Sequence, residues 1–418
     1  MKLFLFIFVA SGKLLPHGFG GDQSVKCDNV HQFSGFINTG PNEGQMYAFF
    51  EAREQSETTP LIVWLNGVPD QPPIFGTSAG MSPCLLNSNG STSINPYAWN
   101  DKAHVLFFDM YKQSGYTRYQ LVKNFIQGLV YDIPQYTKNG IHIFSQSYNA
   151  NTAIIVANMI KQSELQKTET PLLSVGLGNP IIDMPIQMTS YVNGLADRNE
   201  VFLQKKKLED ISFSSKACNS WSLDYCESLA LDLAKYAFEP YLARNKRLLN
   251  SHGFNYATLN KNINSSMEYF LRSPDLKRYI KARDPTKLFL SDKDFMPMKK
   301  NIFDLSIQEI EKLLGYGVPV LIYAGFNDFI SNIKGLENAV ELIQHNGQPV
   351  LQTIVSNIRM NPRTNEQAYL ERGNSKLTLA KVYNAGHLAQ YDQPESTQLL
   401  VENWIDRFRN PFNSKPSH

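Results

Sequence analysis

Ser147 is the residue of this sequence best placed for covalent chemistry. It sits in Ile141-His142-Ile143-Phe144-Ser145-Gln146-Ser147-Tyr148-Asn149-Ala150, a strand-forming run that meets a helix-forming run with no room for a loop. A serine at such a junction projects its hydroxyl above a sheet. The next backbone N–H, that of Tyr148, would lie at a helix N-terminus, where unpaired donors and the helix dipole favour a developing oxyanion. Small residues are wanted two positions either side of the serine, and Ser145 and Asn149 meet that need only in part. On its own, the segment fits a polar strand-to-helix turn without catalysis equally well. A serine hydroxyl also needs a base to take its proton and a third group to orient that base. In hydrolases built this way the acid and then the histidine follow the serine along the chain. Asp328 follows the apolar run Val318 to Ala324, and His387 follows the short run that ends in Val382-Tyr383-Asn384-Ala385-Gly386. Of the eight histidines, His387 alone is singled out by this order and setting. The predicted chemistry is acyl transfer through Ser147, His387 and Asp328.

Such groups need a rigid frame. Leu61 to Leu65, Val105 to Phe108, Ile141 to Phe144, Leu172 to Leu177 and Val318 to Ala324 are short, almost uninterrupted apolar runs, as expected of parallel strands covered on both faces. Helical stretches such as Ala150 to Lys161 separate them, so the alternation predicts an α/β fold with a doubly wound, mostly parallel sheet. The alternation stops between Tyr191 and Pro297, where the sequence turns helical, charged and cysteine-bearing, and resumes at Val318. The expected organisation is an N-terminal address over 1–20, a first core segment over 21–190, a helical lid insertion over 191–297 and a second core segment over 298–418.

Composition narrows the class. The 418 residues are 42% hydrophobic and 12% aromatic, ample for a large core and unlike a disordered chain. A net charge of +2 gives no electrostatic case for nucleic acid, and Lys205-Lys206-Lys207 reads as a solvated helix face. Lys2 followed by the apolar run Leu3 to Ala10 and then Ser11-Gly12 reads as a secretory signal peptide, too short to span a bilayer. The four cysteines allow several pairings; the short separation of Cys218 and Cys226 favours a local bridge, which leaves Cys27 with Cys84 by elimination. Asn89 and Asn264 head N-x-[ST] sequons. No metal-spaced His/Cys cluster, Walker loop or dinucleotide fingerprint occurs, so neither metal nor cofactor is expected.

From about Phe33 to Phe408 the chain resembles the serine carboxypeptidases of the cathepsin A and vacuolar carboxypeptidase type. Trp64-Leu65-Asn66-Gly67 is similar to the family's W-L-N-G-G-P-G loop, Trp99-Asn100 with Val105 to Asp109 to its W-N…F-x-D segment, and Ser147-Tyr148 to its nucleophile motif. Gly178-Asn179 with Asp183, Tyr323-Ala324-Gly325 through Asp328-Phe329-Ile330, and Asn384-Ala385-Gly386-His387 resemble three further motifs. The resemblance implies an α/β-hydrolase fold and release of C-terminal residues from peptides or proteins by an acyl-enzyme route. It puts the oxyanion donors on the backbone N–H groups of Val68 and Tyr148, recognition of the substrate carboxylate on Asn66, Gly67 and Gln146, and an apolar leaving-residue surface on Leu388. It also implies a secreted, lysosomal or vacuolar protein; a homodimer is the oligomer to consider, and the near-neutral charge and lack of another transmembrane-length run predict no nucleic-acid or membrane partner.

The chain departs from the family where chemistry is at stake. Gly67-Val68-Pro69-Asp70 replaces Gly-Gly-Pro-Gly, and a β-branched valine tolerates positive φ badly. Loss of one oxyanion donor typically costs about 10²–10³ in turnover. Asn149 replaces a smaller residue, and a second family glutamate near Gly80-Met81-Ser82-Pro83 is missing. Two alternatives therefore stand beside the peptidase: an impaired binding or scaffold protein, and an acyltransferase of the same architecture. Gln146 stands where the family has a glutamate that must be protonated to hold a carboxylate. An amide donates at any pH, which predicts carboxylate binding less dependent on acid.

Overall fold

The computed structural model describes residues 28–40, 43–66, 80–87, 92–108, 115–164, 170–187, 190, 306–328, 331–351 and 356–408. The expected address, the expected lid, the Gly67-Val68-Pro69-Asp70 loop, Cys27, Cys218, Cys226, Asn89 and Asn264 lie outside them. Fourteen strands are described: β1 (Gln32–Gly40), β2 (Glu43–Phe50), β3 (Leu61–Leu65), β4 (Cys84–Leu86), β5 (Thr92–Ile94), β6 (His104–Phe108), β7 (Ile141–Gln146), β8 (Leu172–Gly178), β9 (Val320–Gly325), β10 (Gln344–His345), β11 (Gln348–Pro349), β12 (Ser356–Met360), β13 (Gln367–Gly373) and β14 (Leu377–Val382). Ten form one sheet in the order β1-β2-β6-β3-β7-β8-β9-β14-β13-β12. The six central strands, β6 to β14 in that order, pair in parallel, and two antiparallel strands close each edge. This is the doubly wound, mostly parallel sheet of an α/β-hydrolase.

The apolar runs are explained by period-two alternation between two cores. In β3, Leu61, Val63 and Leu65 pack with the helices Gly115–Asp132 and Ala150–Glu164 on one face, whereas Ile62 and Trp64 pack with the helix Pro394–Asp406 on the other. Both faces are covered, so every position of β3, β6, β7 and β9 is buried. Strand β9 begins two residues later than the apolar run beginning at Val318. Pro319 has no N–H to give the ladder, and the Val318 N–H instead closes the preceding helix on the Leu313 carbonyl. The edge strands escaped the sequence reading because their runs are too polar to resemble doubly covered strands.

Away from the central strands, Arg53 gathers groups that lie outside the ten-stranded sheet. Its guanidinium meets Asp28 at 2.8 Å, Asp101 at 2.8 Å and the carbonyls of Asn95 and Pro83. Cys84, at the start of β4, is disulfide-bonded.

The ends of β9 and β14 come unusually close. Gly325, the last residue of β9, has no side chain because a Cβ there would lie 2.2 Å from the Gly386 carbonyl oxygen and 2.4 Å from that of Ala385. This close approach lets the turn after β14 fold back over β9. Gly325→Ala is expected to push the two segments apart and lower stability by about 1–3 kcal/mol, read as a reduced urea midpoint at unchanged slope.

Candidate active site

Strand β7 hands over directly to the Ser147–Asn149 turn and then to the helix Ala150–Glu164. The reversal is made in one residue: Ser147 has φ +53°, in the left-handed region. For a side chain other than glycine this costs roughly 1–2 kcal/mol, which the surrounding packing must over-determine. Gln146 and Asn149 on either side are both buried, and the Asn149 side-chain amide donates to the Asn66 carbonyl at the end of β3. The larger residue at position 149 therefore fastens the turn to the neighbouring strand end. Tyr148 follows Ser147 in the turn, so its N–H belongs to the first turn, where helical donors have no preceding carbonyl.

The acid and the histidine arrive from β9 and β14. Asp328 Oδ2 lies 3.0 Å from His387 Nδ1, with Oδ1 at 3.3 Å, and His387 Nε2 lies 3.1 Å from Ser147 Oγ. All three residues are buried, with 5 to 7% of their surface exposed. Ser147, Asp328 and His387, scattered over 240 positions of sequence, thus form one continuous relay. A relay of this kind can draw the proton from a serine hydroxyl and hold the resulting imidazolium against a carboxylate.

Sequence reasoning gave Asn179 no role, yet it braces this relay. Its Nδ2 donates to Asp328 Oδ2 at 2.6 Å and to the Gly386 carbonyl at 3.1 Å. Its own backbone, at φ +44°, is held by a bond to the Tyr323 carbonyl. The Ser331 N–H adds a second donor to Asp328, on Oδ1, at 3.2 Å. Asparagine just beyond a strand end is a residue type that tolerates the left-handed region, which is the signal the sequence offered.

Asp392 is the second unforeseen member. Its Oδ2 accepts the Gly386 N–H at 2.7 Å, so the residue before His387 is held through both its N–H and its carbonyl. Burial first, and the nearby Asp328 charge, push the Asp392 carboxyl up to about 6, against the opposing pull of the Gly386 N–H and His387.

Of the other expected residues, Asn66 is buried, its Oδ1 accepting the Trp64 indole N–H at 2.7 Å. Gln146 ends β7 beside the relay and donates to the His387 carbonyl at 2.8 Å. Leu388 is buried and immediately precedes the short helix Ala389–Asp392. Among the described residues, no cluster of three or more His, Cys, Asp or Glu side chains could hold a metal, and no helix is long and apolar enough to cross a membrane.

Two predictions follow from these braces. Asn179→Gly keeps the positive φ but removes the amide; a hydrogen bond to a charged group is worth about 1.5–3 kcal/mol, so phosphonylation of Ser147 by a fluorophosphonate should slow roughly ten- to hundredfold. For Asp392 the folded carboxyl titrates above its ordinary 3.8, at about 6, so its contribution to stability is complete below the lower value and lost as pH rises through the higher one. Urea midpoints should therefore show wild type losing ground to the non-titrating Asp392→Asn between about pH 4 and 7.

Comparison with known proteins gives the chain's relatives. A family profile described as serine carboxypeptidase matches residues 22–407. Carboxypeptidase Y of Komagataella phaffii is 26% identical over 419 aligned residues, covering 91% of this chain and 77% of the relative. The vacuolar serine-type carboxypeptidase ATG42 of Saccharomyces cerevisiae is 24% identical over 422, covering 90% and 80%. Among solved structures, Kex1(delta)p, a prohormone-processing carboxypeptidase from Saccharomyces cerevisiae, superposes with a TM-score of 0.74 at 17% identity, covering 90% of this chain and 92% of that one, which speaks to the fold.

Proposed function

The chain belongs to the serine carboxypeptidase family, and from that premise we propose that Ser147, His387 and Asp328 are the working groups of a hydrolase that releases C-terminal residues from peptides. The observation that carries the assignment is the unbroken run of contacts from Ser147 Oγ through the imidazole to Asp328, at 3.1 and 3.0 Å. Ser147 Oγ attacks the carbonyl carbon of the last peptide bond as His387 Nε2 takes its proton. The tetrahedral oxyanion is received by the backbone N–H groups of Tyr148 and Val68. On collapse, the protonated imidazole gives its proton to the departing amine, and Ser147 holds the rest of the peptide as an ester. Water then repeats the sequence: His387 takes its proton, hydroxide adds to the ester carbonyl, and the serine leaves with the proton returned. Asp328 accepts from Nδ1–H and so holds the tautomer that leaves Nε2 free to accept.

The proposed selectivity for a chain end rests on Asn66, Gly67 and Gln146 around the substrate carboxylate, with Leu388 offering an apolar wall to the leaving residue. The His387 carbonyl uses one of the two Gln146 amide hydrogens, so the second is left for a ligand. The family setting, with its vacuolar relative, supports a place in the secretory pathway for this chain as well.

Incubation with a fluorophosphonate should label Ser147, and an N-blocked dipeptide with a free carboxylate should be cleaved whereas its C-terminal amide is not. Ser147→Ala should abolish both reactions, and Asp328→Asn should lower turnover by about 10⁴. The KM for the dipeptide should stay nearly flat from about pH 4.5 to 7.5, because no donor in the carboxylate site titrates there. Folded wild-type protein that takes no label overturns the assignment, and a steep rise of KM toward neutrality overturns the role of Gln146.

A further inference from the structure

The helical turn Ala389–Asp392, directly after His387, carries two side chains that reach back towards the relay. Asp392 takes the Gly386 N–H, as described above. The other is Gln390, fully buried, whose Nε2 donates to Gln146 Oε1 at 2.5 Å. Gln146 in turn donates from its Nε2 to the His387 carbonyl at 2.8 Å. The result is a directed chain from Gln390 through Gln146 to the main chain of the histidine, and Gln146 is the residue immediately before Ser147.

A terminal amide is almost symmetric in shape, so nothing in the bulk of Gln146 decides which end faces His387. Chemistry decides it. With the nitrogen toward the His387 carbonyl the contact is a hydrogen bond; with the oxygen there, two buried acceptors would oppose each other. Gln390 presents a donor to the far end of the same amide, which only the first arrangement can accept. The turn that carries it is seated tightly: Gly80, at φ +57°, packs so close that a Cβ there would lie 1.8 Å from the Gln390 carbonyl oxygen. The Gln390 Oε1 atom, moreover, is buried without a partner among the described residues. An apolar side chain of the same length would leave no such acceptor but would also bring no donor to Gln146.

Building on the triad reading above, we propose that Gln390 is a positioning residue: it fixes the orientation of the Gln146 amide, which then holds the His387 main chain at a set distance from Ser147. Together with two other contacts, this fastens three groups of that main chain. Asp392 takes the Gly386 N–H, Asn179 the Gly386 carbonyl, and Gln146 the His387 carbonyl. The Gln390–Gln146 arm contains no titratable group, so it keeps its grip through the whole pH range in which the imidazole works. The charged or titratable groups that adjoin it are His387 itself, Asp328, Asp392 and Tyr391.

The test uses Gln390→Met, which keeps length and removes the donor, and Gln390→Glu, which restores a donor only while the carboxyl is protonated. Burial raises a carboxyl's pKa above its ordinary value of about 4.3, so the glutamate carries its proton at about pH 4.5 and loses it towards pH 7.5. With a blocked dipeptide, Gln390→Met should lower kcat roughly tenfold at every pH, with KM moved less. Gln390→Glu should approach wild type at the acid end and fall at least about tenfold below it at neutrality. A Gln390→Glu to wild-type ratio that is constant with pH, or Gln390→Met indistinguishable from wild type, overturns the proposal. A second readout does not require turnover: the low-field proton resonance of His387 Nδ1–H should shift or broaden in Gln390→Met. Should wild type prove inactive, the triad reading fails, while an unmoved resonance in Gln390→Met would separately sink the positioning role; Gln390→Met also serves if Gln390→Glu does not fold.

Discussion

The site depends on one backbone torsion. A buried parallel strand and a helix packed on its sheet can be joined without a loop only if one residue turns the chain sharply, and Ser147 does so at φ +53°. That angle lifts the hydroxyl clear of the sheet and sets the next N–H at the start of the helix. It persists because β7 is buried along its whole length between β3 and β8, and because Asn149 is tied to the end of β3. The reactive hydroxyl is thus an output of sheet packing, and a weakened β3–β7–β8 ladder would misplace it without any change to the serine itself.

The histidine poses the opposite problem. His387 lies in a turn after β14, a segment with no ladder of its own, yet its ring must meet Ser147 and Asp328 at hydrogen-bond distance simultaneously. The structure answers by holding the main chain beside the ring: Asn179 joins the Asp328 carboxylate to the Gly386 carbonyl, Asp392 takes the Gly386 N–H, and Gln146 takes the His387 carbonyl. The bare Cα of Gly325 makes room for the approach. Strand β9 supplies the acid and β14 the histidine, and these strands are parallel neighbours, so the two groups leave the sheet at the same edge. That is where ligands collect in open α/β sheets.

How much of this was legible beforehand follows from the range of the forces involved. The central strands that were read from the sequence were readable because double coverage makes their runs almost continuously apolar, a local signal. Ser147 was readable because a strand and a helix abut in the sequence. The antiparallel edges β1, β2, β12 and β13 were not, since their runs mix polar with apolar residues and present no continuous apolar stretch, although β1–β2, β12–β13 and β13–β14 pair as neighbours in sequence. The roles of Asn179, Gln390 and Asp392 were hidden because each acts through a partner, and an amide or carboxylate declares its partner only once the fold has brought it near. Sequence order could nominate the groups that react; it could not name those that hold them still.

Neutral amides dominate that second set. Asn66, Asn149, Asn179, Gln146 and Gln390 are all buried around the relay, and each donates or accepts without carrying charge. Within a low-dielectric site a carboxylate in any of these positions would repel the Asp328 charge or demand a proton to donate, and its grip would come and go with pH. Amides remove that dependence from these positions, while Asp392, whose carboxyl is pushed up by burial, itself shapes the histidine turn. A donor set of this kind decouples the geometry of the relay from its protonation. The pH response of the enzyme then reports the groups that move protons rather than the scaffold that aims them.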